Sequence, residues 1–183
     1  MAMNLLDMIM SAQGGAAAQQ AGQTLGLDQS QAQTAIAALL PAISSALKQN
    51  TQTPQGLAGL LGALQNGNHS QYVEQPEALA RPETVADGNA ILGHLFGSKE
   101  VSRAVAGRAA EQTGMSTDIL KKMLPLVATM AMGSLSKQTK LSGKEEEIKV
   151  LLDKQISFSG IGRILGVNRL TVKNFVESRN LQP

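Results

Sequence analysis

Apolar residues recur at three- and four-residue spacing along most of the chain and almost nowhere alternate with polar ones, which predicts helices throughout. A first helix is expected over 4–21, with Asn4 as its cap and Leu5, Leu6, Met8 and Ile9 on its apolar face. Gly14 and Gly15 loosen or interrupt it. Asp28, with Gln31 three residues on, reads as a capping box. It opens a run whose Ala35, Ile36, Leu39, Leu40, Ile43 and Leu47 share one face. Pro41 lies inside that run and is expected to kink it or split it in two. Residues 49–56 read as a linker, 57–64 as a short helix, and 71–88 as a polar stretch with room for one short helix. Asn89 is a candidate cap for a helix ending at Gly97, and Ser98 for a second ending at Gly114. Ser116 is a candidate cap for a third, which carries Leu120, Met123, Leu124, Val127, Met130 and Met132 around Pro125.

Residues 23–47 and 112–135 look alike. Each runs from a Gln-Thr pair through a glycine turn and a polar cap into an apolar helix with an internal Leu-Pro. Either two related helix–proline–helix units pack together, or Ala/Leu-rich helices resemble each other by composition alone. Both prolines are expected at kinks or tight breaks between helices. The methionines at 123, 130 and 132 either fill a core or line an adaptable groove.

Residues 136–144 are polar and read as a linker and boundary. Three helical pieces follow. The first carries Ile148, Leu151 and Leu152, with Glu145, Glu146 and Glu147 at its start, where the helix dipole favours acids. The second has Ser159 as cap, Ile161, Ile164 and Leu165 inward, and Gly166 at its end. The third has Asn168 as cap and Leu170, Val172, Phe175 and Val176 available to pack. From Phe158 onward, apolar residues at Ile161, Leu165, Val167, Val172 and Phe175, a small Gly162 at the crossing and Gly166 at the turn resemble the helix-turn-helix of resolvase- and transposase-type DNA-binding domains. The resemblance implies that the last helix presents Asn168, Arg169, Thr171 and Asn174 toward base edges, with Arg163, Lys173 and Arg179 at phosphates. The other reading of the same residues is a small protein-binding or structural module whose charges form a solvated face.

Composition supports helices and removes several chemistries. Of 183 residues, three are Phe, one is Tyr and none is Trp, so packing rests on Leu, Ala, Ile, Val and eight Met. No cysteine is present, which excludes disulfides, thiolate chemistry and cysteine-ligated zinc. The first ten residues lack a basic segment and contain Asp7, unlike a secretory signal, and the apolar run 123–132 is too short to cross a bilayer. A cytoplasmic protein without a membrane partner is expected. Charge is uneven: residues 1–80 hold one basic residue and four acids, 81–142 eight and five, and 143–183 seven and five. An acidic front and a mildly basic back hint at an anionic partner for the C-terminal end.

The candidates for catalysis are sparse. His69 lies in a Gly/Asn turn and is expected to be exposed, and His94 is the better general base on paper, near Lys99 and Glu100. Two histidines 25 residues apart and no cysteine make a poor metal set, so neither a metal nor a cofactor is expected. Asp87 is expected to cap a helix or bond into the Gly88 turn.

Residues 1 to about 140 resemble the YidB-like family, a bacterial group of uncharacterised proteins. The match lies in Asn4-Leu5-Leu6-Asp7, Gly14-Gly15, Leu39-Leu40-Pro41, the stretch from Asp87 to Gly97, Met123-Leu124-Pro125 and Ser136-Lys137-Gln138. The resemblance implies an open array of short helices and no activity. The tail departs from the short glycine-rich ending usual in that family. The expected organisation is therefore all-α: a YidB-like helical domain over 1–138 and a small three-helix, helix-turn-helix module over 144–183. The expected function is non-enzymatic, with double-stranded DNA as partner of the tail and a homodimer or protein partner for the array. The alternative is an interaction or scaffold protein with no nucleic-acid role.

Overall fold

The computed structural model describes residues 5–66, 68–141, 144–167 and 169–181. They are helical throughout, with no strand among them. The helices are α1 (Leu5–Ser11), α2 (Ala16–Thr24), α3 (Gln29–Asn50), α4 (Pro54–Asn66), α5 (Gln71–Glu74), α6 (Pro82–Phe96), α7 (Lys99–Thr113), α8 (Thr117–Leu141), α9 (Glu145–Asp153), α10 (Phe158–Leu165) and α11 (Arg169–Ser178). Two 3-10 turns, Ala12–Gly15 and Pro76–Ala80, complete the path.

Helix α8 is the axis of the larger part. Residues 123–134 are buried without a break, and a helix that is apolar all round must be enclosed. Helices α1 to α7 surround it. The methionines at 123, 130 and 132 belong to this core, not to a groove. Two of its polar side chains bond to main-chain carbonyls. Thr129 Oγ1 donates to the Leu126 carbonyl at 2.7 Å and Ser136 Oγ to the Leu64 carbonyl at 3.0 Å.

Small residues let neighbours come close to this axis. A Cβ on Gly88 of α6 would lie 2.3 Å from the Pro125 carbonyl oxygen, and one on Gly133 would lie 2.6 Å from the His69 carbonyl oxygen. Gly88 is therefore a helix-crossing residue, not part of a turn. Helix α6 begins at Pro82, where a proline at the first position needs no N–H partner. Asn89 consequently lies in mid-helix and caps nothing.

Neither Pro41 nor Pro125 divides its helix. Helix α3 runs 22 residues and α8 runs 25 through them. Each proline lies inside one continuous helix with buried core side chains on both sides of it, and the one missing backbone bond is a smaller loss. The two look-alike segments share one local design all the same. Each is a left-handed glycine (Gly26, Gly114), a polar cap and a long proline-bearing helix, and α3 packs on α8.

Local signals hold at several ends. Asp28 and Gln31 form the reciprocal capping box, Ser98 Oγ accepts from the Val101 N–H, and Gly114 closes α7. Other boundaries move. Helix α4 starts inside the expected linker, at Pro54. The expected polar stretch 71–88 buries Tyr72, Val73, Ala78 and Leu79. The first helix is two, joined by a turn in which Gln13, Gly14 and Gly15 all have positive φ. Asn4, expected as its cap, lies outside the described residues.

A second, smaller core forms at the C-terminal end. Leu141, Ile148, Ile161, Val167, Val172, Phe175, Val176 and Leu181 enclose one another there. The expected linker 136–144 is mostly helix: α8 continues to Leu141 because that side chain is fully buried in this second core.

Candidate nucleic-acid interface

Three short helices build the C-terminal unit. In α9, Ile148 is buried and Glu145 to Glu147 occupy the first turn, as the dipole favours. In α10, the cap is Ser157, two residues earlier than expected, and its Oγ accepts from the Gly160 N–H at 3.2 Å. Gly166 closes α10 at φ +69°, a conformation that favours glycine, and turns the chain into α11. Gly162 is buried, and α10 packs on α11. Ile164, expected inward, is 57% exposed beside Arg163.

Six of the seven residues expected at DNA lie among the described residues, and they separate into two faces. Arg163, Arg169 and Lys173 are exposed. Lys173 lies 3.8 Å from Glu177 one turn on, an exposed pair of small energetic weight. Arg163 and Arg169 make no salt bridge among the described residues. Arg179 is exposed but engaged: its guanidinium sits 5.5 Å above the Phe175 ring and 4.0 Å from Glu145, so it ties α11 back to α9. Thr171 and Asn174 face the other way. Thr171 is only 8% exposed, and with Leu170 and the half-buried Asn174 it lines a crevice against Ala12, Gln13, Val73 and Ser134 of the array. The crevice holds about 30 Å³, room for a water or two and no ligand. Asn168 lies outside the described residues. No local periodicity marks the side of α11 that docks, because docking depends on the distant turn at Ala12–Gly15.

The array's own candidates for chemistry are also placed. His94 is exposed on the last turn of α6. His69 is half-buried, its ring 6.4 Å from that of Tyr72. Burial lowers its pKa, and the nearby Asp87 carboxylate acts in the opposite sense. Asp87 caps nothing; it accepts a hydrogen bond from the Tyr72 hydroxyl. Burial, and then that bond, push the Tyr72 phenol well above its ordinary range. Lys137 is deeply buried 3.8 Å from Glu74, an ion pair that joins α8 to α5. Among the described residues no three His, Asp or Glu side chains converge as a metal site, and no helix is long and apolar enough to cross a membrane.

These observations define an all-helical protein with a small C-terminal three-helix unit whose outer face is basic. The chain belongs to the DUF937 family of bacterial proteins of unknown function, which it matches over residues 7–138. The match ends inside α8, ahead of the residues that form the second core. No curated protein and no solved structure matches the chain.

Proposed function

We propose that residues 144–183 form a helix-turn-helix unit that binds duplex DNA, and that the array over 1–138 serves as its interaction domain, without enzymatic activity. The observation that carries this reading is the outer face of α10 and α11. Arg163, Arg169 and Lys173 are exposed there, while Ile161, Val167, Val172 and Phe175 are buried behind them. Phosphate contacts account for most of the affinity such a face can give. With Thr171 and Asn174 turned to the array, Arg169 at the start of α11 is the side chain left for base edges, so sequence preference is weak. One unit of this size binds weakly, and two copies are expected to act together on DNA.

A titration of labelled duplex by fluorescence anisotropy at about 50 mM and about 200 mM salt tests this. The expected result is micromolar binding at the lower salt, with a log–log salt slope of about two to four per protomer. Arg163→Ala or Lys173→Ala lowers affinity for all sequences alike. Arg169→Ala costs about 1–3 kcal/mol, and only on a preferred sequence.

The burial of Thr171 against the array favours a second reading, in which α11 is a packing element of an interaction protein. Absence of binding at the lower salt overturns the DNA reading and leaves this one.

A further inference from the structure

A second basic surface lies in the array, away from the tail. Helices α6, α7 and α8 enclose a cleft of about 380 Å³, within the size range of small-molecule sites. Its base is apolar: Leu92 of α6 and Leu124 of α8 are both buried. Its rim is cationic. Lys99 and Arg103 stand one turn apart on α7, hence on one face, and Lys121 comes from α8. Neither Lys99 nor Arg103 makes a salt bridge among the described residues. Among the described residues Lys121 pairs with Asp118 alone, at 3.9 Å, whose side chain is 86% exposed and too solvated to neutralise it. The hydroxyl-bearing Ser98 and Ser102 lie on the same wall, at the positive end of the α7 dipole. No acidic side chain lines the cleft.

We propose that this cleft binds a small organic phosphate, with the phosphate held by Lys99, Arg103 and Lys121 and an apolar body resting on Leu92 and Leu124. The occupant is an organic phosphate, not a bare ion, because the buried base is apolar while the charges lie at the rim. Leu92 and Leu124 belong to the array's core, and the apolar edge they leave at the cleft floor packs on an organic body and gives a bare ion nothing. A duplex backbone fits less well, since its phosphates meet a convex or flat basic face more readily than a walled cleft.

One residue makes the cleft testable without disturbing the fold. Gly93 lines it, lies on an exposed position of α6, and a Cβ there meets no atom within 4 Å. Gly93→Gln therefore fills the cleft while improving the helix. The measurement is isothermal titration calorimetry of the full chain with 1-naphthyl phosphate, inorganic phosphate and 1-naphthol, each to about 2 mM. Saturable binding of 1-naphthyl phosphate is expected, at least about tenfold tighter than inorganic phosphate and than 1-naphthol. Arg103→Ala and Lys121→Ala each weaken it about tenfold, and Gly93→Gln abolishes it with a melting temperature at or above that of the parent. Lys48→Ala, on the last turn of α3 and outside the cleft, leaves affinity within about twofold. No saturable binding, equal affinity for 1-naphthol, equal loss in Lys48→Ala, or full binding by a folded Gly93→Gln protein overturns the proposal. So does binding of duplex DNA that falls with Arg103→Ala while 1-naphthyl phosphate does not bind.

Discussion

The array wraps a 25-residue helix on every side with aliphatic side chains and close glycine crossings, whereas the C-terminal unit closes three short helices around Phe175. The array's order is distributed. Eight helices share one contiguous core, and α8 touches each of the other seven. The tail's order is concentrated in eight buried side chains, one of which, Leu141, is the last residue of α8. A long buried helix leaves the array tolerant of a lost methyl group and intolerant of an added one at its crossings. A core of eight residues has the opposite weakness.

The largest expected effect tests the crossings. Gly88→Leu forces a side chain into backbone atoms of Pro125, which sit within a packed helix and cannot retreat. The array is expected to lose more than about 3 kcal/mol, seen as a lower urea midpoint in circular dichroism. Gly93→Ala, on the same helix but facing open space, is expected to gain about 0.5–1 kcal/mol. If both glycines behave alike, close approach is not what Gly88 provides.

Phe175→Ala probes the tail in the same way. A large ring buried to 0% exposure is removed, at a cost of about 3–5 kcal/mol. A core this small cannot absorb that, so amides of α10 and α11 are expected to lose hydrogen-exchange protection while those of α8 around Met130 keep it. Loss of protection in both regions together would mean that the two cores form one cooperative unit.

The same contrast explains what was legible in the sequence. The capping box at Asp28 and Gln31, the Ser98 cap and the glycine ends at Gly114 and Gly166 could be read because each is decided within one helical turn. The all-helical class followed from periodicity, for the same local reason. The misplaced features are those decided at a distance. Asn89 looked like a cap because Asp87-Gly88 looks like a turn, but Gly88 is there for Pro125 on another helix. Residues 136–144 looked like a linker because they are polar, but Ser136 bonds to Leu64 and Leu141 enters the second core. The bond from Tyr72 to Asp87 spans 15 residues and has no period to reveal it. In the tail, the buried positions of Ile161, Val167, Val172 and Phe175 were legible from spacing, whereas Ile164, expected inward, is exposed. The docking of Thr171 and Asn174 was not legible, since nothing in α11 encodes the shape of the turn at Ala12–Gly15.

Titration probes the array directly through His69 and Tyr72. Tyr72 is the only tyrosine of the chain, so tyrosinate absorbance reports it alone. Its folded pKa is raised, so the stability it confers is present below its ordinary value near 10 and is lost as pH rises toward the folded value. The native protein is expected to show no tyrosinate signal at pH about 10.5, and the urea-unfolded protein a strong one. His69 has the opposite sign. Its folded pKa is lowered, so its contribution is present above 6.5 and is lost as pH falls toward the folded value. Tyr72→Phe removes the hydroxyl that Asp87 accepts from and is expected to cost about 1.5–3 kcal/mol. A titrating signal at the ordinary tyrosine value in the native protein would dispose of the Tyr72–Asp87 bond.

The smallest effects sharpen the comparison most, because they leave both folds intact. Asp28 and Ser157 do the same job in the two regions: each side chain accepts from the backbone N–H three residues on, at 2.8 Å in α3 and 3.2 Å in α10. Replacing either with Ala removes one acceptor from a helix start and costs about 1 kcal/mol. What differs is where that cost should register. Helix α3 packs on α2, α7 and α8, inside the distributed core, so Asp28→Ala is expected to lower the array's transition and leave exchange in α10 and α11 unchanged. Helix α10 has only eight residues, packed on α11, so Ser157→Ala is expected to raise exchange throughout the tail and leave the α8 amides around Met130 untouched. The regions join through a continuous α8 ending in Leu141, and through the contact of Leu170, Thr171 and Asn174 with the Ala12–Gly15 turn and with Ser134 of α8. If that contact couples the cores, each substitution shifts exchange in both regions. If it does not, the two effects stay separate and sum independently in the double variant.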